Sequence, residues 1–189
     1  MSIYNTFFRF AFAFSFFVIA SALIAEPTLE EVVVSARKMD ESVQDVPIAM
    51  SVFTSSDIED AGIERPEDFI ALTPNVVMAN TVNVGDTLVT IRGLTSTRDA
   101  ESNFAFVVDG VLQTNPNAFN RELLDIAQIE VLKGPQGALY GRNASSGAIL
   151  ITTKAPSEES ESTAVIGMGV NNSSKLQFVN SGKIADNIY

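Results

Sequence analysis

Cysteine, histidine and tryptophan are all missing from these 189 residues. Without cysteine there is neither a disulfide framework nor a thiolate metal site. Without histidine the chain lacks the commonest transition-metal ligand and the usual general base near neutral pH. Any catalysis would have to rest on carboxylate, lysine, tyrosine or hydroxyl groups. Positive charge is scarce too: 12 Lys and Arg stand scattered against 23 Asp and Glu, for a formal net charge of -11. That balance argues against a nucleic-acid partner, which a clustered basic face would announce. An acidic surface keeps a protein soluble and monomeric, and proves no more. The length suits one domain with a core large enough to need no staples.

Only one long apolar run is present, and it lies at the front. After a short start with a single base, Arg9, the run extends from Phe10 to Ile24 with Ser15 and Ser21 as its only interruptions. Small residues follow at Ala20, Ala22 and Ala25. This is the layout of a secretory signal peptide over 1–25. Cleavage after Ala22 puts alanine at both specificity positions, while cleavage after Ala25 puts Leu23 at the outer one; both remain open. The competing reading is a membrane anchor, for which the run is slightly short of the ~20 residues a span requires. Much of the positive mean hydropathy, +0.20, comes from this leader.

Behind it, the β-branched triplet Val32-Val33-Val34 is flanked by charges. It can pair as a strand but has too little apolar area to fold alone. One reading is an extended, mobile arm over 26–39 that another chain captures by strand addition; the other is an ordinary edge strand tucked onto the domain. Pro47 to Phe53 reads as a strand. Ser56-Asp57-Ile58-Glu59 has capping-box spacing, with Gly62 as a stop, and predicts a short helix. A second helix is expected from Pro66 to a stop before Pro74, with Phe69 and Leu72 on the same side.

From Asn75 the pattern turns to strands: one rich in Val and Asn, then Leu88 to Gly93, then Ala105 to Val108. The last meets Asp109-Gly110, a hairpin-reversing pair, and continues as Val111-Leu112. Leu123, Leu124 and Ile126 are expected in a helical turn capped by Asn120. In Ile129 to Lys133, Ile129 and Val131 lie on one side of a strand and Glu130 and Leu132 on the other. A compact glycine-rich loop follows before Ala148 to Ile151 returns to strand. The order βααβββαβ gives an α+β domain over 40–154, with a mixed β-sheet and short helices. Residues 155–162 are a Ser- and Glu-rich linker. In 163–189 there is one alternating stretch, Ala164 to Val170, and a weaker one around Leu176 to Val179.

No constellation carries catalysis. The glycines at 134, 137 and 141 have neither Walker nor dinucleotide spacing, and serve better to turn the backbone and pack it closely. The acidic groups at 57–60 and 158–161 are explained by a helix start and a solvated linker, and lack the ligand alternation of a calcium loop. Ser145 and Ser146 have no base partner. Arg92, Arg121 and Arg142 sit beside glycine turns or strand ends, where a rigid fork of donors can bridge to a carboxylate; plain solvent exposure fits each equally well.

The segment Lys133 to Ile149 resembles the glycine-rich signature near the end of the plug in TonB-dependent outer-membrane receptors. Glu31 to Ala36 resembles their energy-coupling box. Val46-Pro47-Ile48-Ala49, Ala61-Gly62-Ile63, Leu72 to Val76, Ile91-Arg92-Gly93 and Val108 to Val111 match further landmarks in the same order. The resemblance implies no cofactor and no enzyme activity. It implies instead a plug inside a 22-stranded barrel in the cell outer membrane, with the plug facing the periplasm. Ligand, a small molecule such as a metal chelate, with an iron-siderophore complex first and haem, cobalamin, a nickel complex and carbohydrate also open, would bind outside at apical loops such as 80–86 and 96–103. The inner-membrane TonB energy transducer would then pair with Leu29, Glu30, Glu31, Val32, Val33, Val34 and Ser35.

The same resemblance assigns Arg92, Glu130, Lys133 and Arg142 to stabilising the plug or its fit in the barrel wall, and makes Asp109-Gly110 a structural turn. Gly93, Gly134, Gly137, Gly141 and Gly147 belong to the shaped turns and the glycine-rich signature. Because only one or two barrel strands follow residue 163, the chain is expected to be the front of a longer receptor, its partner being its own missing barrel. The alternative is a barrel-less periplasmic binding or signalling module that engages the same transducer.

Overall fold

The computed structural model describes residues 31–81, 87–97, 100–115, 119–156, 161–170 and 173–182. The leader, Leu29, Glu30, most of the loop read at 80–86 and part of that at 96–103 lie outside them. Residues from Val32 onward cluster as one unit. Its elements are, in chain order, β1 (Val33–Val34), β2 (Glu41–Ser42), β3 (Met50–Thr54), α1 (Ser55–Asp60), α2 (Pro66–Leu72), β4 (Val76–Asn80), β5 (Thr87–Ile91), β6 (Leu94–Thr95), β7 (Phe104–Val108), β8 (Val111–Gln113), β9 (Ile126–Lys133), α3 (Gly137–Tyr140), β10 (Gly147–Thr153), β11 (Glu161–Met168) and β12 (Ser174–Ser181).

A five-stranded mixed sheet of order β3-β9-β10-β7-β8 organises the fold. Only the β7–β10 pair is parallel; its neighbours pair antiparallel. Alternation along the strands gives the sheet two apolar faces. Ile129, Val131, Ile149, Ile151, Phe104 and Phe106 pack against Ile58, Phe69 and Ile70 of the two helices and Val89 and Ile91 of β5. Phe119 fills the middle of this layer, edge-on to Phe69, Phe104 and Phe106. The opposite face, Leu132, Ala148, Leu150, Ala105 and Val107, is covered by Val34, Ala36 and Val46 from the front of the unit.

Helix α1 is closed at both ends by local hydrogen bonds. Asp57 accepts from the Thr54 amide at 2.9 Å while its own amide donates to Thr54 Oγ1, so the capping box is Thr54–Asp57. The box therefore lies two residues earlier than the one expected at Ser56–Glu59, since Thr54 is the last residue of β3 and the turn begins there. At the other end Gly62, at φ +63°, lets Ile63 and Gly62 donate back to Ile58 and Glu59 and stops the helix. In α2 the buried side is Pro66, Phe69 and Ile70, and Leu72 is exposed rather than beside Phe69. Its turn is already unwinding toward Thr73, which is extended.

Residues 120–125 are irregular and Ile126 already belongs to β9, so the helical turn expected there does not form. Pairing with β10 continues to Ile126 through a register irregularity at Thr152/Thr153, and ladder bonds outweigh the local preference. A one-turn helix, α3, forms instead inside the glycine-rich stretch. Strand β11 begins at Glu161, within the stretch read as linker, and β12 runs on to Ser181.

Candidate functional site

The triplet at 32–34 is not a free arm in this structure. Val33 and Val34 pair with Ser42 and Glu41 in a small antiparallel hairpin. Val34 and Ala36 are fully buried against the main sheet, which is where the triplet's apolar area goes. The edge-strand reading therefore describes the docked state: one hydrophobic residue in two points inward, and the segment gains a partner on each side. Glu31 is exposed.

Three side chains hold the backbone of this segment. Gln128 Nε2 donates to the Val33 carbonyl at 3.0 Å. The Ser35 amide donates to Glu130 Oε1 at 3.1 Å, and Ser35 Oγ to the same oxygen at 3.3 Å. The Tyr140 hydroxyl donates to the Ala36 carbonyl at 2.9 Å. Gln128 and Glu130 stand on the β9 face shared with Leu132, two residues apart, and so reach the same strand.

Glu130 is 2 % exposed, and its Oε2 has no partner among the described residues. Burial pushes its carboxyl above the ordinary range, opposed by the Ser35 bonds. Burial, with Glu130 nearby, pushes Tyr140 up to about 12, so its hydroxyl stays a donor at any ordinary pH. A cleft of about 490 Å³, lined by Ser35, Lys38, Leu112, Tyr140 and Leu150 among others, opens beside the docked segment.

A second polar group sits at the β5–β6 turn. Arg92 and Gly93 have φ of +50° and +83°, the left-handed pair of a two-residue hairpin. The Arg92 guanidinium lies over Gly134, where a Cβ would meet Nη1 at 3.1 Å. Lys133 Nζ donates to Ser51 Oγ at 3.0 Å, and burial followed by the Arg92 charge lowers its pKa. Neither cation has a carboxylate partner among the described residues. Arg142 pairs with Glu101 at 3.3 Å, with both side chains exposed.

Asp109 and Gly110, at φ +47° and +78°, close the β7–β8 hairpin. Asp109 also accepts from the Thr153 amide at 2.8 Å and from its hydroxyl at 3.0 Å, which ties the turn to the end of β10. Among the signature glycines, Gly147 is packed hardest: a Cβ there would lie 2.3 Å from the Leu132 carbonyl oxygen. Gly137 has nothing within 4 Å, so its place at the start of α3 is not a matter of space.

Sequence reasoning passed over four features. Asn103 ties the 94–103 loop to the glycine-rich segment, its carbonyl accepting from the Ser146 amide and hydroxyl and its Oδ1 from Ser96 Oγ. Gln128 and Tyr140 hold the front strand, and Lys175 pairs with Glu64 and Glu122. Their partners are distant in sequence, so no local pattern marks them. The β11–β12 hairpin presents Ile166, Met168, Leu176 and Phe178 outward, all exposed, and Lys175 and Gln177 on the other face. Among the described residues no helix is long and apolar enough to cross a membrane, which leaves strands untouched by that test, and no three acidic side chains cluster as metal ligands.

Comparison with known proteins gives a consistent picture. A family model, the TonB-dependent receptor plug domain, matches residues 42–148. The pesticin receptor of Yersinia enterocolitica is 29% identical over 164 residues, 86% of this chain and 24% of the receptor. The vitamin B12 transporter BtuB of Vibrio vulnificus is 32% identical over 148 residues, 75% of this chain and 23% of the transporter. Among solved structures, the ferric yersiniabactin uptake receptor FyuA of Yersinia pestis superposes with a TM-score of 0.68 at 28% identity, covering 74% of this chain and 22% of that one. The ferripyoverdine receptor of Pseudomonas aeruginosa shares the fold, with a TM-score of 0.70 at 19% identity over 83% of this chain and 21% of the receptor. The chain spans about a quarter of the length of the curated relatives it matches.

Proposed function

This chain belongs to the TonB-dependent receptor plug domain family, and we propose that it is the plug-bearing front part of an outer-membrane receptor for energised uptake of a scarce nutrient. The observation that carries the proposal is the order of parts along one unit. A short strand with its own hairpin comes first, the plug sheet follows, and β11–β12 closes the order with apolar side chains outward and Lys175 turned to the plug. Alternation of that kind suits a strand pair with one face in lipid and one toward an enclosed plug, and a spanning sheet must be closed because open edges are intolerable in hydrocarbon. Arg92 and Lys133, which have no carboxylate partner among the described residues, fit carboxylates supplied by the barrel wall, where a charge-assisted pair is stronger than a neutral hydrogen bond.

Coupling falls to the strand at 29–35. Its β-branched run suits pairing with a strand of the inner-membrane transducer through backbone bonds. The ligand class we favour is a ferric siderophore complex, because ferric yersiniabactin, ferripyoverdine and ferric catecholate name the receptors among the similar structures. BtuB, a vitamin B12 transporter, marks the other chemistry within reach.

The test is Val33→Pro in the full-length receptor, since proline cannot donate to a ladder. Cells are offered a panel of radioactive ferric siderophores, and surface binding and energised uptake are measured separately. We expect uptake to be lost while surface binding is nearly unchanged. Normal uptake by the variant contradicts the assignment of this strand.

A further inference from the structure

The loop between β6 and β7 crosses from a three-stranded sheet, β4-β5-β6, to the five-stranded one, and the side chain of Asn103 joins its two stems. Asn103 Nδ2 donates to the Leu94 carbonyl, nine residues earlier, at 3.2 Å, and Asn103 Oδ1 accepts from Ser96 Oγ at 2.9 Å. The planar amide has a donor side and an acceptor side, and the neck of the loop uses both. Ser96 is itself held, being buried with its amide donating to the Val89 carbonyl at 2.9 Å. The Asn103 backbone is fixed from the other side. Its carbonyl accepts from the Ser146 amide at 2.9 Å and from the Ser146 hydroxyl at 3.0 Å, and Ser146 is 1 % exposed.

Strand β7 is already fixed by its ladders with β10 and β8, so the register of the sheet does not depend on the neck amide. What the amide sets is the separation of Leu94 from Asn103, and with it the shape of the segment between them. The neck also has a defined place on the sheet. The front strand is held by Gln128, which pairs with Thr152, whereas Asn103 adjoins Phe104, which pairs with Gly147. Thr152 and Gly147 stand about 17 Å apart along β10. The loop therefore lies at the end of the sheet away from the coupling strand, the end that a ligand arriving from the opposite side of the membrane meets first.

We propose that Asn103 is a positioning residue for ligand recognition: its amide closes the neck of the 94–103 loop and its carbonyl seats that neck on Ser146, so that the loop meets a ferric siderophore complex in a preset shape. The proposal rests on the reading of this chain as the plug of such a receptor. A preset loop raises affinity because its ordering cost no longer falls on the binding step. Arg142 and Glu101, paired at 3.3 Å with both side chains exposed, add little to the hold on the loop.

The experiment uses the full-length receptor in cells and in outer-membrane vesicles. The probes are siderophores of hydroxamate, catecholate and phenolate type loaded with radioactive iron. Asn103→Ala removes both bonds of the amide. Asn103→Asp keeps the size and the acceptor, loses the donor, and decides the matter should the alanine variant fail to reach the membrane. Ser145→Ala is the control: its exposed hydroxyl donates to the Asn103 carbonyl at 3.1 Å, and that carbonyl keeps its bonds from Ser146. A nitroxide on Thr97→Cys, at an exposed position in a chain with no other cysteine, reports the loop without ligand. We expect the nitroxide to move more freely in both Asn103 variants, and Kd for the siderophore that the unaltered receptor binds to rise about tenfold. Uptake at saturating siderophore should be unchanged, and Ser145→Ala should bind as the unaltered receptor does. A freed nitroxide with unchanged Kd overturns the proposal, as does a nitroxide that does not change, or a loss of saturated uptake with Kd unaltered. Failure of the receptor reading looks different: the unaltered receptor then binds none of the probes, and the ligand role of Asn103 falls with it.

Discussion

Gly147→Ala tests the packing on which the whole site rests. Gly147 lies in the middle of the sheet, paired with Lys133 on one side and Phe104 on the other. An added Cβ would stand 2.3 Å from the Leu132 carbonyl oxygen and 3.2 Å from Ile91 Cδ1. Ile91 can rotate, but the oxygen is backbone in the neighbouring strand and bound into its ladder. Relief requires β9 and β10 to separate by most of an ångström, weakening their bonds. Overpacking of this kind costs about 1–3 kcal/mol, and the backbone obstacle puts the expected value at the upper end, about 2–3 kcal/mol. Hydrogen exchange of the β9 and β10 amides in the full-length receptor reads this as a rise in opening of roughly 30- to 150-fold. Gly137→Ala is the control, because nothing stands within 4 Å of its Cβ position. Alanine there should be neutral or stabilise by up to about 1 kcal/mol. If Gly147→Ala slows or leaves unchanged the exchange of these strands, the steric argument is wrong.

Other outcomes follow from the same geometry. Thr54→Ala should destabilise the protein by about 1 kcal/mol by opening the capping box of α1, and should speed exchange of the Asp57 amide most. The Thr54 bonds hold Asp57 below the ordinary carboxylate range, so their contribution is present above the ordinary value of 3.8 and is lost as pH falls through the depressed one. Glu130 has the opposite sign. Its carboxyl is raised, so its contribution is full below the ordinary value of 4.5 and is lost as pH rises through the folded-state value. Relative to the unaltered protein, Glu130→Gln should therefore gain stability as pH is raised from acid to neutral, measured as the difference in denaturant midpoints. A constant difference across that range refutes the burial argument. Asp109→Ala loses two bonds to Thr153 and leaves a β-carbon at φ +47°, and should cost about 2 kcal/mol, seen as faster exchange at the β7–β8 hairpin.

What was legible in the sequence is what short-range physics decides. Asp109-Gly110 demands a left-handed pair and forms one. The alternation of Ile129 to Leu132 separates two faces, and the structure fills one with phenylalanine and the other with Val34 and Ala36. Gly62 stops a helix as its backbone freedom allows. The errors are of a different kind. Asn120 to Ile126 has a plausible local start for a helix, yet Ile126 gains more from the β10 ladder than from one helical turn. Leu72 has the right spacing from Phe69, but the helix ends before its side chain can turn inward. The edge-strand reading allowed the docking of 33–36 but not its place, because its holders, Gln128, Glu130 and Tyr140, lie some hundred residues away. Glu130 could be placed on the face opposite Val131, though not beneath Ser35, since that depends on which segment covers the face.

The most direct measurement of the central claim is the mass and compartment of the native product, by immunoblot of separated outer-membrane and periplasmic material with an antibody to residues 40–154. A heat-modifiable outer-membrane band several times heavier than the 20.3 kDa of this chain is the predicted result. A soluble periplasmic band below that mass, with nothing in the membrane, contradicts the receptor account and leaves a free module that engages the transducer.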